Sequence, residues 1–289
     1  MKTFYFIFCS CLMLLSSCID TNEESETASE ANLIIKLAFN PTQERLGNFG
    51  EPVSVAAGNA AQSPSINRMS ANYIEFAPNM LTALGTGEIV FSGSETTSGG
   101  EKAIDFQNAR FAGNNETFLT IPLRQVAAGD YEWVRVSLAY QEGDIDFLGE
   151  DGNDYTGTLA SFVGYNTYVS TLALNGSTIA VNANKLQGFW AFETLGFTAQ
   201  GQAPEGATTV PNPLFDSSPI PQGSCVVTGE FENGLTITGD ETEDVLVTLS
   251  FSTNNSFEWT EVHADGKYEP SAGEQVVDMG LRGLIPSVN

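Results

Sequence analysis

The residues best placed to do chemistry lie between Glu142 and Asp154. Asp144, Asp146, Glu150, Asp151, Asn153 and Asp154 follow one another with glycines between them. Calcium takes about six to eight hard oxygen ligands, and a flexible Asp/Asn/Gly loop is able to supply them. The spacing is not that of an EF-hand. Counting from Asp144, Leu148 and Tyr155 fall where an oxygen ligand and a bidentate carboxylate are needed. The stretch therefore reads either as a calcium loop or as a solvated acidic turn. A second acidic turn at Asp240, Glu243 and Asp244 has fewer oxygens.

Other chemistry is sparsely provided. His263 is the only histidine, which excludes a two-histidine zinc site within one chain. No G-x-S-x-G surrounds a serine that it might activate. The 36 acidic residues allow a glycosidase-type carboxylate pair, although nothing in their spacing selects one. Trp133, Trp190 and Trp259 lie in strand-like runs, as core residues or as an exposed aromatic platform for a sugar or peptide. With 11 Lys and Arg against 36 Asp and Glu, the formal net charge is −25, which argues against nucleic acid as a partner.

Strands must position these groups. Leu33 to Phe39 opens the apolar patterning, and Tyr73 to Phe76, Glu88 to Phe91 and Phe118 to Leu123 are further strand candidates. From Tyr131 to Tyr140 the pattern alternates, which predicts a half-buried antiparallel strand with Val134, Val136, Leu138 and Tyr140 on one face and Arg135 and Ser137 on the other. Val245 to Phe251 alternates in the same way. Asn175-Gly176 and Asn233-Gly234 each separate two such runs and predict hairpins with type I′ turns. Convincing helical periodicity is nearly absent. Many short strands with turn signals between them predict an all-β fold, an antiparallel β-sandwich with long Gly/Pro/Asn-rich loops. It spans residues 31–289, with a possible internal seam over 201–222. Cys9, Cys11, Cys18 and Cys225 are the only cysteines, so the core must hold this domain together without disulfides.

The beginning of the chain gives an address. Lys2 precedes an apolar run from Phe4 to Leu15, too short to span a bilayer. Leu15-Ser16-Ser17-Cys18 resembles the lipobox of bacterial lipoproteins. That resemblance implies a signal peptide over 1–17 and lipidation of Cys18. Residues 18–30 are acidic and nearly devoid of apolar side chains, the composition of a solvated tether. An acidic tract close behind the lipidated cysteine resembles the export signal of Bacteroidetes-type surface lipoproteins. This implies a membrane partner through the anchor and a place on the outer membrane, facing the cell surface or, alternatively, the periplasm.

A family resemblance covers much of the rest. Gln187-Gly-Phe-Trp190-Ala-Phe-Glu193, followed by Leu195-Gly-Phe197, resembles the tryptophan-rich strand of the MbnP-like proteins. Ser70-Ala-Asn-Tyr-Ile-Glu75, Thr120-Ile-Pro-Leu123, Ala128-Gly-Asp-Tyr131 and Gln222-Gly-Ser-Cys225 are similar to other segments of that family. The resemblance implies a secreted or lipid-anchored β-sandwich linked to copper handling, with Trp190 and Cys225 as its ligand-binding positions. A histidine-based copper site does not follow, because only His263 is present. The expectation is thus a lipid-anchored binding or accessory module without turnover, whose ligand is a cation, a glycan or an envelope protein. Its rivals are an MbnP-like metal handler using Trp190, Cys225, Met279 or carboxylates, and a carboxylate-based hydrolase.

Overall fold

A computed structural model describes residues 31–47, 50–203 and 220–289, with the backbone alone for Arg282. The leader, Cys18 and the tether lie outside the described residues, as does most of the 201–222 stretch. The strands are β1 (Asn32–Asn40), β2 (Asn59–Gln62), β3 (Ser65–Ala77), β4 (Glu88–Ser92), β5 (Glu95–Thr96), β6 (Ala103–Asp105), β7 (Glu116–Pro122), β8 (Gly129–Leu148) and β9 (Asp154–Phe162). They continue with β10 (Asn166–Leu174), β11 (Ser177–Leu186), β12 (Phe189–Thr194), β13 (Phe197–Gln202), β14 (Cys225–Ile237), β15 (Val245–Ser252), β16 (Phe257–Thr260), β17 (Gln275–Met279) and β18 (Arg282–Val288). Strands make up 59% of the structure and helix 4%, so every packed layer is a sheet. The fold is all-β, as the turn-punctuated sequence predicts.

The central sheet runs β13-β12-β9-β8-β3-β4, with β14 also on β8. Strand β8 is its spine. Its first half pairs with β14 and its second half with β9, while β3 runs along its other edge. Three smaller sheets cover this one. The first, β18-β15-β1-β7, packs Leu33, Ile35, Leu37, Val247, Leu249 and Phe251 onto Val134, Val136, Leu138 and Val227. The second, β11-β10-β6-β5, packs Val169, Leu172 and Leu174 onto Ala160, Phe162, Phe189 and Ala191. The third, β17-β16-β2, places Phe257, Trp259 and Met279 over Ile145, Leu159, Trp190 and Phe192. Side chains alternate across a strand, so the second and third sheets cover opposite faces of β9 and β12. The pairing is mostly antiparallel. Two pairs, β1 with β15 and β6 with β10, are parallel.

The structure corrects four expectations. First, Tyr140 does not share a face with Val134, Val136 and Leu138. Ser70 pairs with Tyr140 and Ala71 with Leu138, which leaves Ala139 as a bulge. The extra residue turns Tyr140 over, and it packs with Phe106, Phe111 and Phe162 instead. Second, Arg135 and Ser137 are buried rather than solvated, because β8 is covered on both faces from Val134 to Gly143. Third, Asn233-Gly234 is not a hairpin turn. Glu230 pairs with Trp133 and Leu235 with Tyr131, so both flanking runs lie on one strand, β8, and the residues between them bulge out. Gly234 alone of the two has a positive φ, whereas a type I′ turn needs both residues there. Asn175-Gly176, with φ of 42° and 90°, does form the expected turn. Fourth, Glu142 to Asp146 is not a loop, since β8 stays paired with β9 as far as Leu148 and Asp154.

Candidate functional site

Strand β12 places Trp190 and Phe192 on the face of the central sheet turned toward β16 and β17. On either side of them the flanking strands carry glycine. A Cβ at Gly201 of β13 would lie 2.5 Å from Cζ2 of Trp190, and one at Gly157 of β9 would lie 2.1 Å from Cζ of Phe192. The two rings therefore lie down across the sheet, in opposite directions, each seated on a residue without a side chain. A third seat, Gly149, receives the ring of Tyr155, where a Cβ would come within 2.6 Å. Tyr155 stacks on Phe147 with centroids 5.7 Å apart and planes at 28°. Phe147 meets Phe192 edge-on at 5.5 Å. Glycine inside a strand commonly marks such a close approach. Trp190 and Phe192 thus form an aromatic floor, with Phe147 standing edge-on to it and Tyr155 stacked on Phe147.

Above this floor a groove of about 770 Å³ opens, within the range of about 300–1,000 Å³ usual for ligand sites. Phe257, Val276 and Met279 form its far wall. The connection from β16 to β17 closes one side and brings Tyr268 and Ser271 to the groove. Glu274, only 3% exposed, holds that connection by accepting from the backbone N–H groups of Val262 at 2.9 Å and Glu269 at 2.7 Å. The Leu148 N–H donates to the Tyr268 carbonyl at 2.8 Å, and Lys267 pairs with Asp154 at 2.7 Å. The wall is thereby tied to the β8–β9 turn. Burial, and then the charge of Glu274, pushes the Tyr268 phenol up to about 12, so it stays protonated and able to donate a hydrogen bond. At the end of β12, Leu195 and Gly196 turn the chain with φ of 50° and 82°. Leu195 is 85% exposed and Phe197 is 67% exposed.

The acidic residues singled out from the sequence are dispersed along this architecture. Asp144 and Asp146 lie on β8, where Thr158 donates to Asp144 and Thr156 to Asp146, each at 2.7 Å. Asp151 closes the turn by accepting from Asn153 and from the Tyr155 hydroxyl at 2.8 Å, contacts that hold its carboxyl below the usual range. Asp154 pairs with Lys267, while Glu150 reaches the rim of the groove. Among the described residues no three His, Cys, Asp or Glu side chains gather as a metal site. Trp190 and Cys225 do not meet either, as Trp190 lies in the groove and Cys225 is buried in the core beneath the first covering sheet. His263 is exposed and pairs with Glu269. Phe147, Tyr155 and Phe192 were not expected as site residues. The readable trace of them was glycine placed inside strand-forming runs.

An all-β protein with an aromatic-floored groove between two of its sheets is thus the class that fold and site define. No protein-family model, no curated protein and no solved structure matches the chain.

Proposed function

We propose that this chain is a lipid-anchored, surface-facing, non-catalytic module of a bacterial envelope whose groove binds a neutral glycan. The observation that carries the reading is the aromatic floor of the groove, where Trp190 and Phe192 lie over Gly201 and Gly157 and Phe147 stands edge-on to Phe192. A ring lying flat offers its negative π face, which suits the positively polarised C–H face of a sugar ring. Hydroxyl partners stand around the rim at Glu150, Thr194, Ser271 and Gln275. Glu150 and a net charge of −25 select against anionic polymers. The absence of turnover is supported by Glu274, whose two oxygens are taken up by backbone N–H groups, so that among the described residues lining the groove Glu150 has no second free carboxylate. The lipobox-like segment ending at Cys18 and the acidic tract behind it support the address.

The test is titration of the mature chain with neutral oligosaccharides, namely cello-, xylo-, manno- and malto-hexaose, read by tryptophan fluorescence and calorimetry. At least one series binds, and Trp190→Ala weakens it more than ten-fold. Polygalacturonate, an anionic polymer, does not bind. The proposal fails if no neutral series binds, or if Trp190→Ala binds as the parent does.

A further inference from the structure

A second cavity, of about 220 Å³, lies away from the groove, between β3, β4 and the segment after β6. Its lining is polar. Ser70, Asn72, Ser92 and Ser94 face it together with Arg110. Asn72 reaches it because of a bulge. Ala71 pairs with Leu138 and Tyr73 with Ser137, so Asn72 falls opposite no residue of β8. Bulges re-aim side chains in this way and are common beside binding sites. Gly93 makes the room, since a Cβ there would lie 2.5 Å from the Asn72 Oδ1.

Two buried groups in this cavity have hydrogen-bonding capacity to spare. Asn72 is 9% exposed, and among the described residues its Oδ1 has no partner. Ser70 is 1% exposed, and among the described residues its hydroxyl makes only a 3.5 Å contact with the Ala71 carbonyl. Buried polar groups are otherwise nearly always satisfied, so these two call for a partner. At its edge the Arg110 guanidinium donates through Nη1 to the Phe118 carbonyl at 3.1 Å. The guanidinium fork matches a carboxylate in two-point geometry. The negative field of the whole chain does not override this contact, because exposed charges are screened beyond about 8 Å at physiological salt.

We propose that this pocket binds a sugar acid, a polyhydroxy carboxylate of monosaccharide size. Its carboxylate pairs with Arg110, while its hydroxyls donate to the Asn72 Oδ1 and accept from the Ser70 Oγ. The volume sits below the range of roughly 300–1,000 Å³ typical of drug-sized ligands, which limits the occupant to about one sugar unit. This site is independent of the groove and stands whether or not the groove takes a glycan.

The test is calorimetry on the mature chain in detergent with D-gluconate and D-glucuronate. Hexanoate, which lacks hydroxyls, and sorbitol, which lacks a carboxylate, serve as controls. At least one sugar acid binds, each control is at least ten-fold weaker, and Arg110→Gln lowers the affinity at least ten-fold. Ser92→Leu, an exposed position whose larger side chain fills the pocket, abolishes binding, and Trp190→Ala leaves it unchanged. Circular-dichroism melts verify that the variants fold. Absence of heat with both acids, hexanoate binding as tightly as gluconate, or an unaffected Arg110→Gln variant would overturn the proposal and leave a pocket that holds ordered water only.

Discussion

Replacing Gly201 by alanine adds one methyl group beneath the indole of Trp190. The new Cβ would lie 2.5 Å from Cζ2 and 2.8 Å from Cε2, against an ordinary carbon–carbon contact of about 3.5–4.0 Å. The ring must therefore rise by about 1 Å. It can do so, because the space above it is the open groove rather than packed core. The φ of Gly201 is not in the left-handed region, so alanine fits the backbone, and its lower unfolded-state entropy offsets part of the strain. The net loss of stability stays within about 1 kcal/mol, near the lower end of overpacking costs of about 1–3 kcal/mol. Ligand binding responds differently, since an indole lifted from its glycine seat meets the groove at a changed height and angle. The expected loss of oligosaccharide affinity is at least ten-fold, with a changed tryptophan emission maximum in the free protein. Calorimetry and thermal melts on the same preparation separate the two effects. Unchanged affinity alongside a changed emission maximum would show that the flat seat is irrelevant to binding. A melt lowered as far as that of a buried-core variant would show that the indole is a core residue with nowhere to go.

Four other outcomes can be measured on the same protein. Leu195→Asn relieves a left-handed backbone position that leucine disfavours by roughly 1–2 kcal/mol, so the melting temperature rises. Glu258 is pushed up by burial and drawn down further by hydrogen bonds from Arg45, from Asn59 at 2.6 Å and from Ala56 at 3.1 Å, so its folded value lies below its unfolded one. Its contribution is present above about pH 4.3 and lost as pH falls through the folded value. Glu258→Gln strands a buried Arg45, at a cost of about 3–5 kcal/mol, and flattens the acid limb of the stability profile followed by urea melts. Glu269 raises the His263 value by hydrogen bond and charge, so that contribution is present at low pH and fades as pH rises through the folded value. An NMR titration of His263 shows its midpoint dropping toward about 6.5 in Glu269→Gln. Cys18→Ala, finally, moves the protein from the membrane fraction to the soluble fraction; retention in the membrane would disprove the anchor.

What could be read along the chain was local. The Asn175-Gly176 turn needs two positive φ values in adjacent residues, and sequence states that directly. Strand β8 was readable from Tyr131 to Tyr140, but its bulge at Ala139 was not, because the register belongs to β3 and not to β8 itself. The acidic run from Glu142 misled for a related reason: pairing with β9 extends the strand through residues whose composition signals a loop. The groove floor lay furthest from view. Gly157 faces Phe192, and Gly201 faces Trp190, only after β9, β12 and β13 have been set side by side. Composition at one position cannot announce what lies across from it. The parallel pairing of Leu33 with Val245 is hidden in the same way by the length of chain between them.

Strand β1 also has a mechanical meaning. The chain enters the described fold at Ala31 and runs at once into this strand, which is bonded on one edge to β15 and on the other to β7. A pull delivered from the preceding residues along the strand axis loads both ladders in shear, so their bonds must yield together instead of one after another. A pull applied ahead of Ala31 is thereby met by a strand paired on both of its edges.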